Sequence, residues 1–243
     1  MLRSCLSVEK SRSGRDLTIS VKRMVFGLSW VSVGDHLHFH GIDVFKAWLN
    51  IIAAANRDSV RKVIGITDLL HHFYAIYGRS FFSRYDYEEV PSEGANALIA
   101  HIENARSTNS LLNTTHLSAS TSTSFTISGM YDFEYKDPID HSVSKNQGQV
   151  IQFSDGSRVV FRLSGTGSQG ATVRMYVERY VGPQAGKEEL SRDTAEGLKG
   201  LIEVALAVTK LKEFLGVEKP TVITVSVLTT DNVTGTQLFP FIQ

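Results

Sequence analysis

Arg162-Leu-Ser-Gly-Thr-Gly-Ser-Gln-Gly-Ala-Thr-Val-Arg174 is the stretch on which fold and chemistry both turn. Within it, Gly165-Thr-Gly-Ser-Gln-Gly170 matches G-x-G-x-x-G, the spacing of a dinucleotide-binding turn. That reading needs the last glycine to open a helix. Ala171-Thr-Val-Arg-Met-Tyr-Val177 follows instead. It is β-branched and alternates with period two, which predicts a strand. The glycines therefore join two antiparallel strands, and a Rossmann unit is disfavoured. No Gly-Lys-Ser/Thr occurs, so a Walker loop is excluded. Two readings remain: an anion cradle, or a wide hairpin loop that uses glycine for its shape alone. Glycine allows positive φ and close approach to a ligand, and successive N–H groups in such a turn form a concave nest for an anion. Ser164, Thr166 and Ser168 add hydroxyl donors, and Arg162 and Arg174 can fork onto phosphate oxygens. The bracketing arginines favour the cradle, for a phosphate or a similar oxyanion.

Working outward, residues 150–153 and 158–163 alternate on either side of Asp155-Gly156, which predicts a hairpin with a two-residue turn. In the strand at 171–181, Val173, Met175 and Val177 share one face and Arg174, Tyr176 and Glu178 the other. A long helix is expected over about 188–215, on a stripe of Leu198, Leu201, Ile202, Ala205, Leu206, Leu211 and Leu215, with Gly216 as its cap. Upstream, apolar periodicity predicts helices over 42–56, 59–77 and 92–106, with Gly78 as a stop and Ser92 as a cap. Residues 79–90 read as a connector or strand, and the Ser/Thr/Asn-rich residues 107–125 as a solvated loop. Residues 24–42 read as short strands. His36, His38 and His40 would share one strand face there, as a metal site or as a polar edge. Only Asp35 stands near as a further ligand, and spacing alone is a weak signal. Strand, hairpin, strand, helix gives an α+β fold, an antiparallel sheet with flanking helices.

Composition narrows the function. At 42% apolar and 21% charged residues, the 243-residue chain can bury an ordinary globular core. Lys+Arg and Asp+Glu both number 25, so no bulk basic field points to nucleic acid. Cys5 is the only cysteine, which excludes intramolecular disulfides and cysteine-built zinc sites and fits a reducing compartment. The apolar runs at 24–33 and 45–55 are too short to span a bilayer. No membrane partner and a cytoplasmic location are the expectation.

Phe161-Arg-Leu-Ser-Gly-Thr-Gly-Ser168 with Gly170-Ala-Thr-Val-Arg174 resembles the phosphate-binding loop of the phosphoglucomutase family, in the α-D-phosphohexomutase superfamily. Tyr77-Gly-Arg-Ser-Phe-Phe-Ser-Arg-Tyr-Asp-Tyr-Glu-Glu-Val90, Glu93-Gly-Ala-Asn96, Phe133-Glu-Tyr-Lys-Asp-Pro-Ile-Asp140, Lys145-Asn-Gln-Gly148, Asp155-Gly-Ser-Arg158 and Pro220-Thr-Val-Ile-Thr224 resemble the same domain or its approach, in the same order. The resemblance implies a TATA-binding-protein-like C-terminal domain over 79–224. A helical remnant of an α/β third domain would precede it over 41–78, and 1–40 and 225–243 stay unassigned. It also implies interconversion of glucose 1-phosphate and glucose 6-phosphate, through a phosphoserine and a glucose 1,6-bisphosphate intermediate, assisted by Mg²⁺. Carried over, Arg162, Ser164, Thr166, Gly167, Ser168 and Arg174 would grip the phosphate that is not reacting.

The departures matter equally. The sequence holds no Ser-His-Asn-Pro for the phosphoserine, no Asp-Gly-Asp-Gly-Asp for the metal, and no Gly-Glu-Glu-Ser-Phe-Gly for the sugar. Lys145 stands where arginine is usual, which keeps the charge and loses the fork. No catalytic residue, metal ligand or cofactor site is therefore expected in this chain. It reads as a fragment that binds a phosphorylated hexose and does not turn it over alone. The alternative is a non-catalytic phosphosugar-sensing or partner-binding module, associating through the apolar face of the remnant helix around Trp48.

Overall fold

A computed structural model of the chain describes residues 41–57, 63–145, 147–167 and 170–225. The expected strands before residue 41, with the three alternating histidines, lie outside the described residues, as do Ser168 and the tail beyond 225. The chain divides into two units, with the break between Ile66 and Thr67.

The first unit carries α1 (Gly41–Ala55), on which Phe45 and Leu49 stand exposed. Asn56 closes the segment. Its amide nitrogen donates to the carbonyls of Ile52 and Ile64, and its Oδ1 accepts from the Ile64 N–H at 2.7 Å. Of the helix expected over 59–77, residues 59–62 lie outside the described residues, residues 63–65 are not helical, and α2 spans Ile66–Tyr77.

The second unit is built on one sheet. Gly78 takes φ +75 and donates to Tyr74 O at 2.8 Å, which ends α2. β1 (Arg79–Val90) follows directly. Its neighbours are β8 (Gly170–Val181) and β9 (Val222–Val225). The sheet continues beyond β8 through β7 (Arg158–Gly167), β6 (Gln149–Phe153), β3 (Ser124–Asp132) and β2 (Thr115–Leu117), every pair antiparallel. A separate ribbon pairs β4 (Tyr135–Lys136) with β5 (Val143–Ser144).

Two helices, α3 (Ser92–Thr108) and α5 (Thr194–Thr209), cover one face of the sheet. Phe81, Tyr87, Phe161, Val173, Met175 and Val177 from the strands, and Leu98, Ile102, Leu198 and Leu201 from the helices, are all buried. Each large apolar side chain contributes about 1.5–3 kcal/mol on burial. The fold is thus the expected α+β arrangement, an antiparallel sheet with flanking helices.

Local expectations fare unevenly. The helix expected over 188–215 is three helices: α4 (Gly186–Ser191), α5, and α6 (Leu211–Leu215). Asp193 breaks the first join, its side chain capping the Ala195 N–H at 2.8 Å. Lys210, at φ 54, breaks the second. Ser92 is the first residue of α3 and makes no capping bond. Phe153 N–H donates to Ser157 O, so three residues, Ser154, Asp155 and Gly156, close the β6–β7 hairpin rather than two. Gly156 at φ +84 supplies the left-handed position that such a loop requires.

The polar 107–125 segment is also more ordered in shape than a solvated loop. It contains β2, and beyond it the Glu203 carboxylate of α5 accepts from Ser118 Oγ and Ser120 Oγ, both at 2.7 Å. The same carboxylate accepts from the N–H groups of Ala119 and Ser120. The Ser120 hydroxyl foremost, then the other donors, holds the Glu203 pKa down from 4.5 to about 2. A depressed carboxylate stabilises fully above its unfolded pKa and loses that contribution as pH falls through the folded value. Amide protection at Ala119 and Ser120 is therefore expected to fall between pH 4.5 and 2, and Glu203→Gln to show the loss already at neutral pH. Hydrogen exchange that is flat across that window in the unmodified chain would contradict the clamp.

Candidate functional site

β7 and β8 carry the glycine-rich stretch, and their register decides its shape. Arg162 lies opposite Arg174, Leu163 opposite Val173 and Ser164 opposite Thr172. The register then slips by one residue, and Thr166 faces Ala171 and Gly167 faces Gly170. The extra residue is Gly165, at φ +64, so the strand is bulged there. The stretch is accordingly a bulged hairpin rather than a wide loop. β6 ends opposite Phe161, so among the described strands Arg162–Gly167 pairs with β8 alone. Alternate backbone groups along that outer edge stay outside the ladder, and some are N–H donors.

The other side of β8 is braced by β1. Asp86 pairs with Arg174 and Tyr87 with Val173, but the next pair is Val90 with Ala171. β1 bulges between them, with Glu89 at φ 56. Gly170, at φ +99, lies against this bulge. A Cβ there would stand 3.1 Å from Glu89 Cα and 3.3 Å from Val90 O. One bulge on each side of the hairpin base thus sets its direction.

Alternation places the side chains. Phe161, Val173 and Met175 are buried toward the helices, so Arg162, Ser164, Arg174 and Tyr176 face the opposite side of the sheet. Two contrasting pairs of β7 and β8 occupy that face. Arg158 lies opposite Glu178, and its Nε donates to Glu178 Oε2 at 2.7 Å. Four residues on, Arg162 lies opposite Arg174. Directly opposed like charges destabilise a strand pair. Arg162 is exposed and has no carboxylate partner among the described residues, while Arg174 is 35% exposed.

β1 supplies the nearest acid. Asp86 is buried, its Oδ2 is 3.0 Å from Arg84 Nη2, and its Oδ1 is 4.0 Å from Arg174 Nε. Arg84 and Arg174 lie within 4.0 Å of this one carboxylate, and Arg162 adds a third guanidinium in register with Arg174, so the patch keeps net positive charge. Such a surface, with two forked donors side by side, can hold a phosphate-like anion. Among the described residues, no three His, Cys, Asp or Glu side chains gather as a metal site, and no helix is long and apolar enough to cross a membrane.

Of the six residues expected from the sequence, Arg162, Ser164 and Arg174 share the open face. Thr166 and Gly167 stand on the outer arm by register, and Ser168 lies outside the described residues. Sequence reasoning missed Arg84 and Asp86. Their two-residue spacing was visible, but not that β1 would lie beside Arg174.

Residues 79–221 match the family model "Phosphoglucomutase-1, C-terminal domain". A cytoplasmic phosphoglucomutase of Mesembryanthemum crystallinum is 44% identical over 186 residues, covering 76% of this chain and 31% of its own length. A chloroplastic phosphoglucomutase of Solanum tuberosum is 46% identical over 186 residues, covering 76% of this chain and 28% of its own. Among solved structures, the open form of the exocytosis-sensitive phosphoprotein pp63/parafusin, a Paramecium phosphoglucomutase, superposes with a TM-score of 0.62. It is 35% identical and covers 76% of this chain and 29% of its own. The chain therefore spans less than a third of the length of these relatives.

Proposed function

The chain belongs to the phosphoglucomutase family, and we propose that its sheet unit grips the phosphate of a phosphorylated hexose at the β7–β8 hairpin. The like-charge pair Arg162–Arg174, set in direct register on the open face, carries this reading. A dianionic phosphate between the two forks converts their repulsion into charge-assisted hydrogen bonds. Ser164, Thr166 and Ser168 serve as hydroxyl donors and Gly167 as a backbone donor. In the interconversion of glucose 1-phosphate and glucose 6-phosphate, such a grip holds the phosphate that does not react. It contributes orientation, which accounts for a large part of the barrier lowering in positioned phosphoryl transfer.

We assign this chain binding and not transfer. The sequence has neither the Ser-His-Asn-Pro nor the Asp-Gly-Asp-Gly-Asp motif of the family. Among the described residues, no three His, Cys, Asp or Glu side chains gather to hold Mg²⁺. The relatives include proteins named for the cytoplasm and for the chloroplast, so similarity does not select a compartment.

Calorimetric titration of glucose 1-phosphate and glucose 6-phosphate into the purified chain tests the grip. Weak binding that salt diminishes is expected, and Arg174→Ala should weaken it about tenfold or more, as loss of charge-assisted hydrogen bonds does. Equal affinity in both proteins would remove the hairpin from the site. Turnover in a coupled mutase assay that depends on Arg174 would overturn the assignment of binding alone, and with it the sensing alternative.

A further inference from the structure

Asp86 is an unusual residue for the open face of a sheet. Its side chain is 4% exposed, on the face away from the helices. Its main chain is pinned from the sheet edge: Thr221 donates to Asp86 O from both its N–H, at 2.8 Å, and its Oγ1, at 3.0 Å. Thr221 Oγ1 also accepts from the Glu88 N–H at 2.7 Å. The carboxylate is thus held in a fixed place beside the hairpin. Its Oδ2 is paired with Arg84. Its Oδ1 is buried without a hydrogen-bond partner, and so is Arg174 Nε, the atom 4.0 Å away. Two complementary buried atoms therefore face each other across one strand register, each lacking what the other supplies. Buried polar groups of this kind rarely stay unpaired.

We propose that Asp86 is a positioning residue for Arg174. It takes the Nε–H of the guanidinium on Oδ1, fixes the plane of the group, and leaves both Nη atoms directed to the anion. This rests on the phosphate-binding reading of the hairpin. A guanidinium has five donors in a rigid fork, so one edge can be held by protein while the other serves a ligand. Arg84 keeps the second carboxylate oxygen occupied, which prevents Asp86 from engaging the whole fork of Arg174 bidentately.

Simple charge and positioning predict opposite signs. Asp86 is an acid next to an anion site, so as a point charge it repels phosphate, and Asp86→Asn should then strengthen binding. As a positioning residue it should do the reverse. Inorganic phosphate and glucose 1-phosphate are titrated into the full chain and into Asp86→Asn, Arg174→Lys and the double variant, with thermal melting to confirm that each is folded. Asp86→Asn is expected to weaken binding about three- to tenfold, in the range of coupling between contacting groups. In the Arg174→Lys background the same change should weaken nothing or strengthen binding, because lysine has no Nε–H edge to hold. A structural role alone would cost the same in both backgrounds and would overturn the proposal. So would unchanged or tighter binding by Asp86→Asn while Arg174→Ala still loses it, and in that case the hairpin reading survives. Absence of binding by the unmodified chain would remove both.

Discussion

Replacing Arg79 with methionine is expected to destabilise the sheet unit by about 3–5 kcal/mol, the range for breaking a buried charged network. Arg79 opens β1 and is 2% exposed. Its Nη1 donates to Leu190 O at 2.9 Å and to Arg192 O at 2.7 Å, and its Nη2 donates to Thr194 Oγ1 at 2.9 Å. The guanidinium also lies 4.1 Å from the Phe81 ring centroid and 5.4 Å from that of Tyr74. Burial pushes its pKa down, with Tyr74 and Asp193 opposing that shift, and a guanidinium remains a cation in a protein. The bonds join the first residue of β1 to the break between α4 and α5. Methionine would keep the stem's packing and restore about 1–2 kcal/mol through apolar burial and sulfur–aromatic contact. It cannot satisfy two carbonyls, and leaving a buried acceptor without its donor costs about 1–3 kcal/mol. Exchanging a whole buried ion pair for apolar groups can be neutral, but here two of the three acceptors are main-chain carbonyls and stay. Arg79→Lys should fall between the two, since one ammonium cannot reach all three acceptors. Urea unfolding reads the effect. A midpoint for Arg79→Met equal to that of the unmodified chain would show that the junction of α4 and α5 is held by something else.

This tie also marks where reading the sequence stops. The period-two faces of β8 were legible: Val173, Met175 and Val177 are buried, and Arg174, Tyr176 and Glu178 lie opposite. Local alternation alone decides that. The break at Arg192 and Asp193 was written in Asp193-Thr-Ala-Glu196, a helix-start pattern, but the apolar stripe that follows it outweighed that sign. Lys210 gives no such sign, because lysine is an uncommon left-handed residue and only the packing of α5 and α6 selects it. The polar composition of 107–125 concealed the Glu203 clamp, because the carboxylate comes from a helix more than eighty residues away. Non-local pairing also hid the place of β1 between β8 and β9, and with it the Asp86–Arg174 neighbourhood. The residue types that suggest an anion site at the hairpin were legible. The shape of the hairpin was not, since the Gly165 bulge depends on the register with β8.

Gly170→Val sets strand propensity against backbone geometry, and geometry should win by about 2–4 kcal/mol. Valine is among the best strand formers and glycine among the worst, a difference of up to about 1 kcal/mol. Gly170 is the first residue of β8, so propensity alone favours the change. Its φ of +99, however, is a region that a β-branched side chain essentially never adopts. Strain of that kind costs about 1–3 kcal/mol. The added Cβ would meet Glu89 Cα at 3.1 Å, Glu89 C at 3.2 Å and Val90 O at 3.3 Å. These are backbone atoms of the β1 bulge, which cannot swing aside as a side-chain tip does. Relief requires the hairpin to lift from β1, and the motion is felt first at Gly167, opposite Gly170, and then at the Arg162–Arg174 pair. The variant is therefore expected to lose phosphate binding even where the sheet remains folded, because two forks must converge on one anion within tenths of an ångström. Circular dichroism should show the strand content kept at low temperature with a lowered melting point, and phosphate titration should show at least a tenfold loss. A Gly170→Val chain that binds glucose 1-phosphate as the unmodified chain does would separate the hairpin base from the grip, and the anion would then be held at the tip alone.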